Sequence, residues 1–212
     1  MRTRPGAGAL IQLLVGLVLF GISLALLVRA DLGLAPWDVF HQGLAERTGF
    51  SLGTLVIAVS VAVLALWIPL RQRPGIGTLA NALLVGLVVD AALVVLPVVD
   101  GTAARIALLV GGVLLNALAT GLYIGAGLGP GPRDGLMTGL ASDRRSIRLV
   151  RTGIEVVVLL AGWLLGGSVG IGTALFALGI GPLTQPALHR FDRRPAPAAP
   201  PPGCPAPGAG PI

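Results

Sequence analysis

The chain has 212 residues and a formal net charge of +6, yet 54% of its residues are hydrophobic and only 11% charged. A soluble domain carries about 25% charged residues, so this chain cannot cover a water-facing surface of ordinary size, and lipid is its expected solvent. Its one cysteine, Cys204, excludes an intramolecular disulfide and a thiolate metal cluster.

Residues 1–5 are short and basic. Residues 8–29 are apolar except Gln12, Ser23 and the closing Arg29, long enough to cross a hydrocarbon core of ~30 Å at ~1.5 Å per residue. A cleaved leader is not the expectation, because Arg29 follows Val28 where a small-residue cleavage site would be wanted. Further spans are predicted over 51–70, 76–96, 104–126, 147–166 and 170–188. After residue 190 the chain is mostly Pro, Ala and Gly, which predicts a disordered tail over 191–212 that includes Cys204. The domain expectation is therefore 1–97 and 98–190, followed by that tail.

Those two parts repeat one another. Leu32-Gly33-Leu34-Ala35-Pro36-Trp37-Asp38 is matched by Leu128-Gly129-Pro130-Gly131-Pro132-Arg133-Asp134. Gly43 matches Gly139 and Trp67 matches Trp163 at the same spacing. After the loss of one residue, Gly75-Ile76-Gly77-Thr78 matches Gly170-Ile171-Gly172-Thr173. A repeat of this length is the organising feature of a chain. Each copy holds three predicted spans, an odd number, so the second copy is expected to lie upside down relative to the first. Inverted repeats recur in secondary transporters, where one half rocks against the other around a midplane site.

All 15 basic residues are arginine. With six spans and an inside N-terminus, only Arg29, Arg47 and Arg105 fall outside; the rest fall inside. The positive-inside rule thus puts both termini in the cytoplasm, and the charge faces the anionic inner leaflet rather than a nucleic acid.

The repeated motif has a local logic. Gly33 and Gly129 suit the positive φ that ends a helix. Pro36 and Pro132 suit the first turn of a new helix. Asp38 and Asp134 fall two residues further, where free N–H groups and the positive helix end favour a carboxylate. Each motif then reads as a short broken or re-entrant helix, tolerated at membrane depth only where protein or a water-filled cavity covers it. Two readings follow: the aspartates cap interfacial helices, or they line a substrate or ion path.

Asp90 lies inside a predicted span, and its repeat partner is Gln185. An intramembrane carboxylate costs about 2.5–3.5 kcal/mol on insertion scales, so it should face protein or water. Asp90 and Gln185 therefore join the candidate path, with interhelical hydrogen bonding as the alternative for Asp90. Glu155 has a ready partner one helical turn away in Arg151. Trp67 and Trp163 are expected as interfacial anchors. The pairs Ala82/Gly86, Ala177/Gly181, Gly121/Gly125 and Gly162/Gly166 are expected to let helices approach closely. His41 is matched by Met137, which argues against a symmetric metal pair. No metal-ligand spacing, catalytic constellation or dinucleotide loop is visible, so neither a cofactor nor an enzyme is expected.

The strings Gly33-Leu34-Ala35-Pro36-Trp37-Asp38-Val39-Phe40-His41-Gln42-Gly43-Leu44, Gly75-Ile76-Gly77-Thr78 and Gly129-Pro130-Gly131-Pro132-Arg133-Asp134-Gly135-Leu136-Met137 resemble the YczE/YyaS/YitT family of integral membrane proteins, in its YczE-like branch. The resemblance implies a bacterial cytoplasmic-membrane protein and supplies no reaction or ligand-binding residue. The expected fold is an all-α membrane protein with six transmembrane helices in two inverted three-helix repeats. The expected function is a small secondary transporter or exporter of a small molecule. The alternative is an accessory or regulatory membrane protein that acts through a partner. The expected partners are the lipid bilayer and an unidentified small molecule, with no nucleic acid, and the oligomeric state is left open.

Overall fold

The computed structural model describes residues 6–141 and 146–193. The expectations placed on Arg2, Arg4, Arg144, Arg145, Arg194 and Cys204, and on nearly all of the tail, lie outside those residues. Among the described residues the chain forms eight helices and no strand. They are α1 (Ala7–Ala30), α2 (Pro36–Thr48), α3 (Leu52–Trp67), α4 (Ile76–Val95), α5 (Thr102–Gly125), α6 (Pro132–Leu140), α7 (Ile147–Leu164) and α8 (Ile171–Phe191).

Local chemistry sets the boundaries. α1 stops where Asp31 turns left-handed at φ 50° and its N–H bonds to Val28 O. Pro36 and Pro132 open α2 and α6 as expected. Ser51 opens α3 by accepting from the N–H of Thr54, and Ser146 opens α7 by accepting from that of Arg148. Thr78 and Thr173 each accept from the N–H of the glycine three residues back, at 3.1 and 3.2 Å, closing the first turns of α4 and α8.

Four helices are long and apolar enough to cross a membrane: α1, α4, α5 and α8. There is a fifth such span if α2 and α3, bent by 115° at their junction, count as one. The other two predicted spans exist as helices but are less regular. α3 has 16 residues, about 24 Å at ~1.5 Å each. α7 carries Arg148, Arg151 and Glu155. Large apolar side chains cover the outside, among them Leu14, Val18, Leu83, Leu87, Val110, Leu114, Leu160 and Leu178. Exposed apolar area on that scale is incompatible with a water-facing surface, and the chain is a multi-pass membrane protein.

α1 and α5 form the centre and run antiparallel. Gly16 faces Tyr123, Ser23 faces Asn116, and Gly112 faces Leu27. Gly16 and Gly112 are repeat partners, as are Leu27 and Tyr123, so the contact is self-complementary. α4 packs on α1, and its counterpart α8 packs on α5. The short helices cross over: α2 packs on α7 and α6 on α3. Gly43 of α2 meets Gly162 of α7 and Leu165 just after it, while Gly135 of α6 receives the Trp67 indole of α3. α3 also packs along α4, whereas α7 and α8 make no comparable contact.

The two chain breaks are held the same way. The N–H of Gly172 bonds to Leu32 O at 2.7 Å, and that of Gly77 bonds to Leu128 O at 2.9 Å. Gly33 and Gly129 have φ of 102° and 127°. A side chain at either would strike the opening turn of the helix opposite: Gly170 and Thr173 in one case, Gly75 and Thr78 in the other. The small-residue pairs are used unevenly. Gly86 lies against Gly53, Gly121 against Ala187 and Gly162 against Phe40, but no atom approaches Gly181.

Alanine at Gly33 or Gly129 is expected to cost about 3 kcal/mol or more, because positive-φ strain of ~1–2 kcal/mol adds to overpacking of ~1–3 kcal/mol. Gly49 also has positive φ, at 74°, but faces open space. Gly49→Ala should cost only the strain. Thermal unfolding of the three variants in detergent checks the ordering.

Candidate functional site

Both broken helices start at one cavity. It holds about 210 Å³ and is lined by residues from all eight helices. Pro36, Trp37 and Asp38 enter from α2, and Pro132, Arg133 and Asp134 from α6. The polar lining continues with Ser60, Asn81, Asn116, Thr120 and Tyr123, then Arg151, Glu155 and Thr184. A second hollow of about 220 Å³ shares Asp134, Met137 and Arg151 with the first and adds Thr138 and Arg148. The open space therefore runs on from Asp134 toward the start of α7.

The two aspartates have different surroundings. Asp38 is buried; its Oδ1 lies 3.4 Å from His41 Nδ1 and accepts from Arg133 Nη2 at 3.3 Å. The Arg133 guanidinium also stacks over the Trp37 ring at 5.3 Å. Trp37 and Arg133 are repeat partners, so this cation–π contact joins matched positions of the two halves. Asp134 is half-buried and accepts from the Tyr123 hydroxyl at 2.8 Å. Among the described residues it has no cationic partner. Neither carboxylate accepts from a backbone N–H of its own helix there, so both are spent on side chains rather than on caps, and only the Asp38–Arg133 pair joins the two halves.

Asp90 sits elsewhere. It accepts from Ser51 Oγ at 2.6 Å and from the N–H of Gly53 at 2.7 Å, tying α4 to the start of α3. That is the interhelical bonding reading, and Asp90 is not part of the cavity wall. Gln185 is exposed on α8, next to the cavity residue Thr184. Arg151 and Glu155 pair at 2.9 Å as expected. Gly33 and Gly129 hold the backbone that presents Pro36 and Pro132 to the cavity. Trp67 departs from expectation: only 2% exposed, it donates from Nε1 to Pro132 O at 3.0 Å. It locks α6 onto α3 instead of anchoring a membrane surface; Trp163 remains exposed.

Sequence reasoning missed Arg133, Tyr123 and the asparagines. The one available signal was the departure of Arg133 from Trp37 within an otherwise repeated motif. Trp37 Nε1, His41 Nε2 and Thr184 Oγ1 are buried without hydrogen-bond partners. Among the described residues no group of three or more His, Cys, Asp or Glu side chains lies close enough to hold a metal ion.

Asp38→Asn should cost about 3 kcal/mol, near the lower end for breaking one partner of a buried ion pair, because water still reaches part of Arg133. Asp134→Asn leaves an oxygen for Tyr123 to donate to and should cost less than about 1.5 kcal/mol. Unfolding midpoints of the two variants should therefore differ clearly, although their motifs are the same.

A family model described as a family of unknown function (DUF6198) matches residues 8–187. An uncharacterized protein of Haemophilus influenzae is 40% identical over 184 residues, covering 86% of this chain and 84% of that protein. The uncharacterized membrane protein YczE of Bacillus subtilis is 36% identical over 162 residues, covering 75% of this chain and 74% of its own length. The uncharacterized protein YyaS of the same organism is 25% identical over 166 residues, covering 76% and 83%. No solved structure matches. With the family model spanning nearly all of the helical region, and YczE and YyaS as relatives, the chain belongs to the DUF6198 family of unknown function.

Proposed function

We propose that this chain is a small secondary transporter or exporter, built from six spans in two inverted repeats, in the bacterial cytoplasmic membrane. The observation that carries the reading is the cavity between the halves, reached by both motif aspartates. The self-complementary antiparallel contact of α1 with α5 supports an axis perpendicular to the spans, as an inverted repeat requires. α7 is able to serve as a span because Arg151 and Glu155 face the cavity rather than lipid. α3 completes its crossing through the turn that follows it.

Matched gaps in the two halves are in different states. The α3–α4 side is shut, and the α7–α8 side is splayed. One closed and one open gap at repeat-related positions is the pattern of a single end state of alternating access. The open side continues toward the start of α7, the end that carries the arginine excess and is therefore cytoplasmic. The conformation is inward-open on this reading.

Two measurements test it. Single cysteines at Arg47 and Leu140, in a Cys204→Ser background, should label from opposite sides of the membrane; labelling from one side defeats the inverted arrangement. In proteoliposomes screened over small metabolites, with and without a pH gradient, the protein should carry flux that Asp134→Asn abolishes while melting normally. A folded protein that moves nothing counts for the accessory reading instead.

A further inference from the structure

The cavity wall carries three carboxylates and two guanidinium groups. Arg133 is engaged by Asp38, and Arg151 by Glu155. Asp134 is left with one neutral donor, the Tyr123 hydroxyl, and no ion-pair partner among the described residues, with Arg148 and Arg151 farther off across the adjoining hollow. It also lies where the two hollows join. An unpaired carboxylate facing a cavity in a membrane protein is stabilised by a positive charge brought from solution.

The rest of the wall fits the same chemistry. Phe20, Tyr123 and Phe176 present aromatic rings to the cavity, and Phe20 meets Tyr123 edge-on with ring centres 5.8 Å apart. Aromatic faces attract ammonium groups, quaternary ones included. Trp37 is unavailable for this, because Arg133 already covers its ring. The cavity of about 210 Å³ and the hollow of about 220 Å³ that adjoins it have room for a small metabolite.

We infer that the cavity binds a small organic cation, a primary or quaternary ammonium compound, with its charge on Asp134 and its carbon groups against Phe20, Tyr123 and Phe176. This deepens the transport reading and rests on the same cavity, but binding is measured without any flux. The purified full chain in detergent is titrated with tetramethylammonium, choline and ethanolamine. The neutral compound tert-butanol and the anion acetate serve as comparisons. Binding is read by thermal shift and calorimetry at constant ionic strength.

The ammonium compounds should bind at least tenfold more tightly than tert-butanol or acetate. Asp134→Asn should remove that preference. Asp31→Asn, which changes a surface carboxylate paired with Arg105, should retain it. Acetate binding as well as the ammonium compounds overturns the inference, as does the absence of any ammonium preference in the folded wild-type protein. The wild-type comparison decides the matter even if Asp134→Asn fails to fold. A folded protein that transports a neutral or anionic solute, with no ammonium preference, would defeat the cation site and leave the transport reading standing.

Discussion

The rest of the structure depends on how two chain breaks are sealed in a solvent that offers no hydrogen bonds. Each break, at 31–35 and 127–131, interrupts the helical ladder and exposes backbone polar groups that hydrocarbon cannot satisfy. Each is closed by the opposite half: Gly172 bonds to Leu32 O, and Gly77 to Leu128 O. Thr78 adds a bond from its hydroxyl to Pro130 O at 2.7 Å. The approach is so close that glycine is required on both sides, Gly33 against Gly170 and Gly129 against Gly75. Neither half is therefore complete alone. The paired seals also place Pro36 and Pro132 so that both short helices begin at the shared cavity.

Much of this was legible in the sequence, for physical reasons. Lipid fixes the length of an apolar run, and Gly and Pro mark its ends, so the helices 7–30 and 76–95 were expected at 8–29 and 76–96. The positive φ at Gly33 and Gly129 followed from the same punctuation. What one sequence does not encode locally is which helix lies beside which. That α2 leans on α7 and α6 on α3 is a property of the assembled halves, and it decides the site. Arg133 looked like one more inside-facing arginine until α6 brought it to Asp38. Trp67 looked like a surface anchor because its indole partner, the carbonyl of Pro132, is 65 residues away. Asp90 drew attention for being polar in an apolar run, yet the bent start of α3 beside it uses both oxygens.

The repeat is most informative where it fails. The backbone frame is duplicated closely, but Trp37 stands opposite Arg133 and His41 opposite Met137. These differences separate two otherwise equivalent carboxylates. Arg133 and His41 surround Asp38, while Asp134 has a tyrosine hydroxyl and open space. One copy thereby becomes part of the frame, and the other keeps a single neutral partner. A strictly symmetric motif would have either neutralised both carboxylates or buried neither partner.

The same contacts limit how the molecule can rearrange. Opening the shut α3–α4 side means moving α3, and Trp67 ties α3 to α6 through Pro132 O. α2 is likewise tied to α7: Gln42 Oε1 accepts from the N–H of Ser168 at 2.7 Å, and Gly43 lies against Gly162. α3 therefore carries α6 with it, and α7 carries α2. Those two units meet in the buried cluster of Trp37, Val63, Trp67, Leu136 and Val158, beside the Asp38–Arg133 pair with the Trp37 stack. Breaking that pair inside the protein would strand a buried carboxylate, which is strongly unfavourable. The ion pair and the apolar cluster around it therefore both oppose separation of the two units.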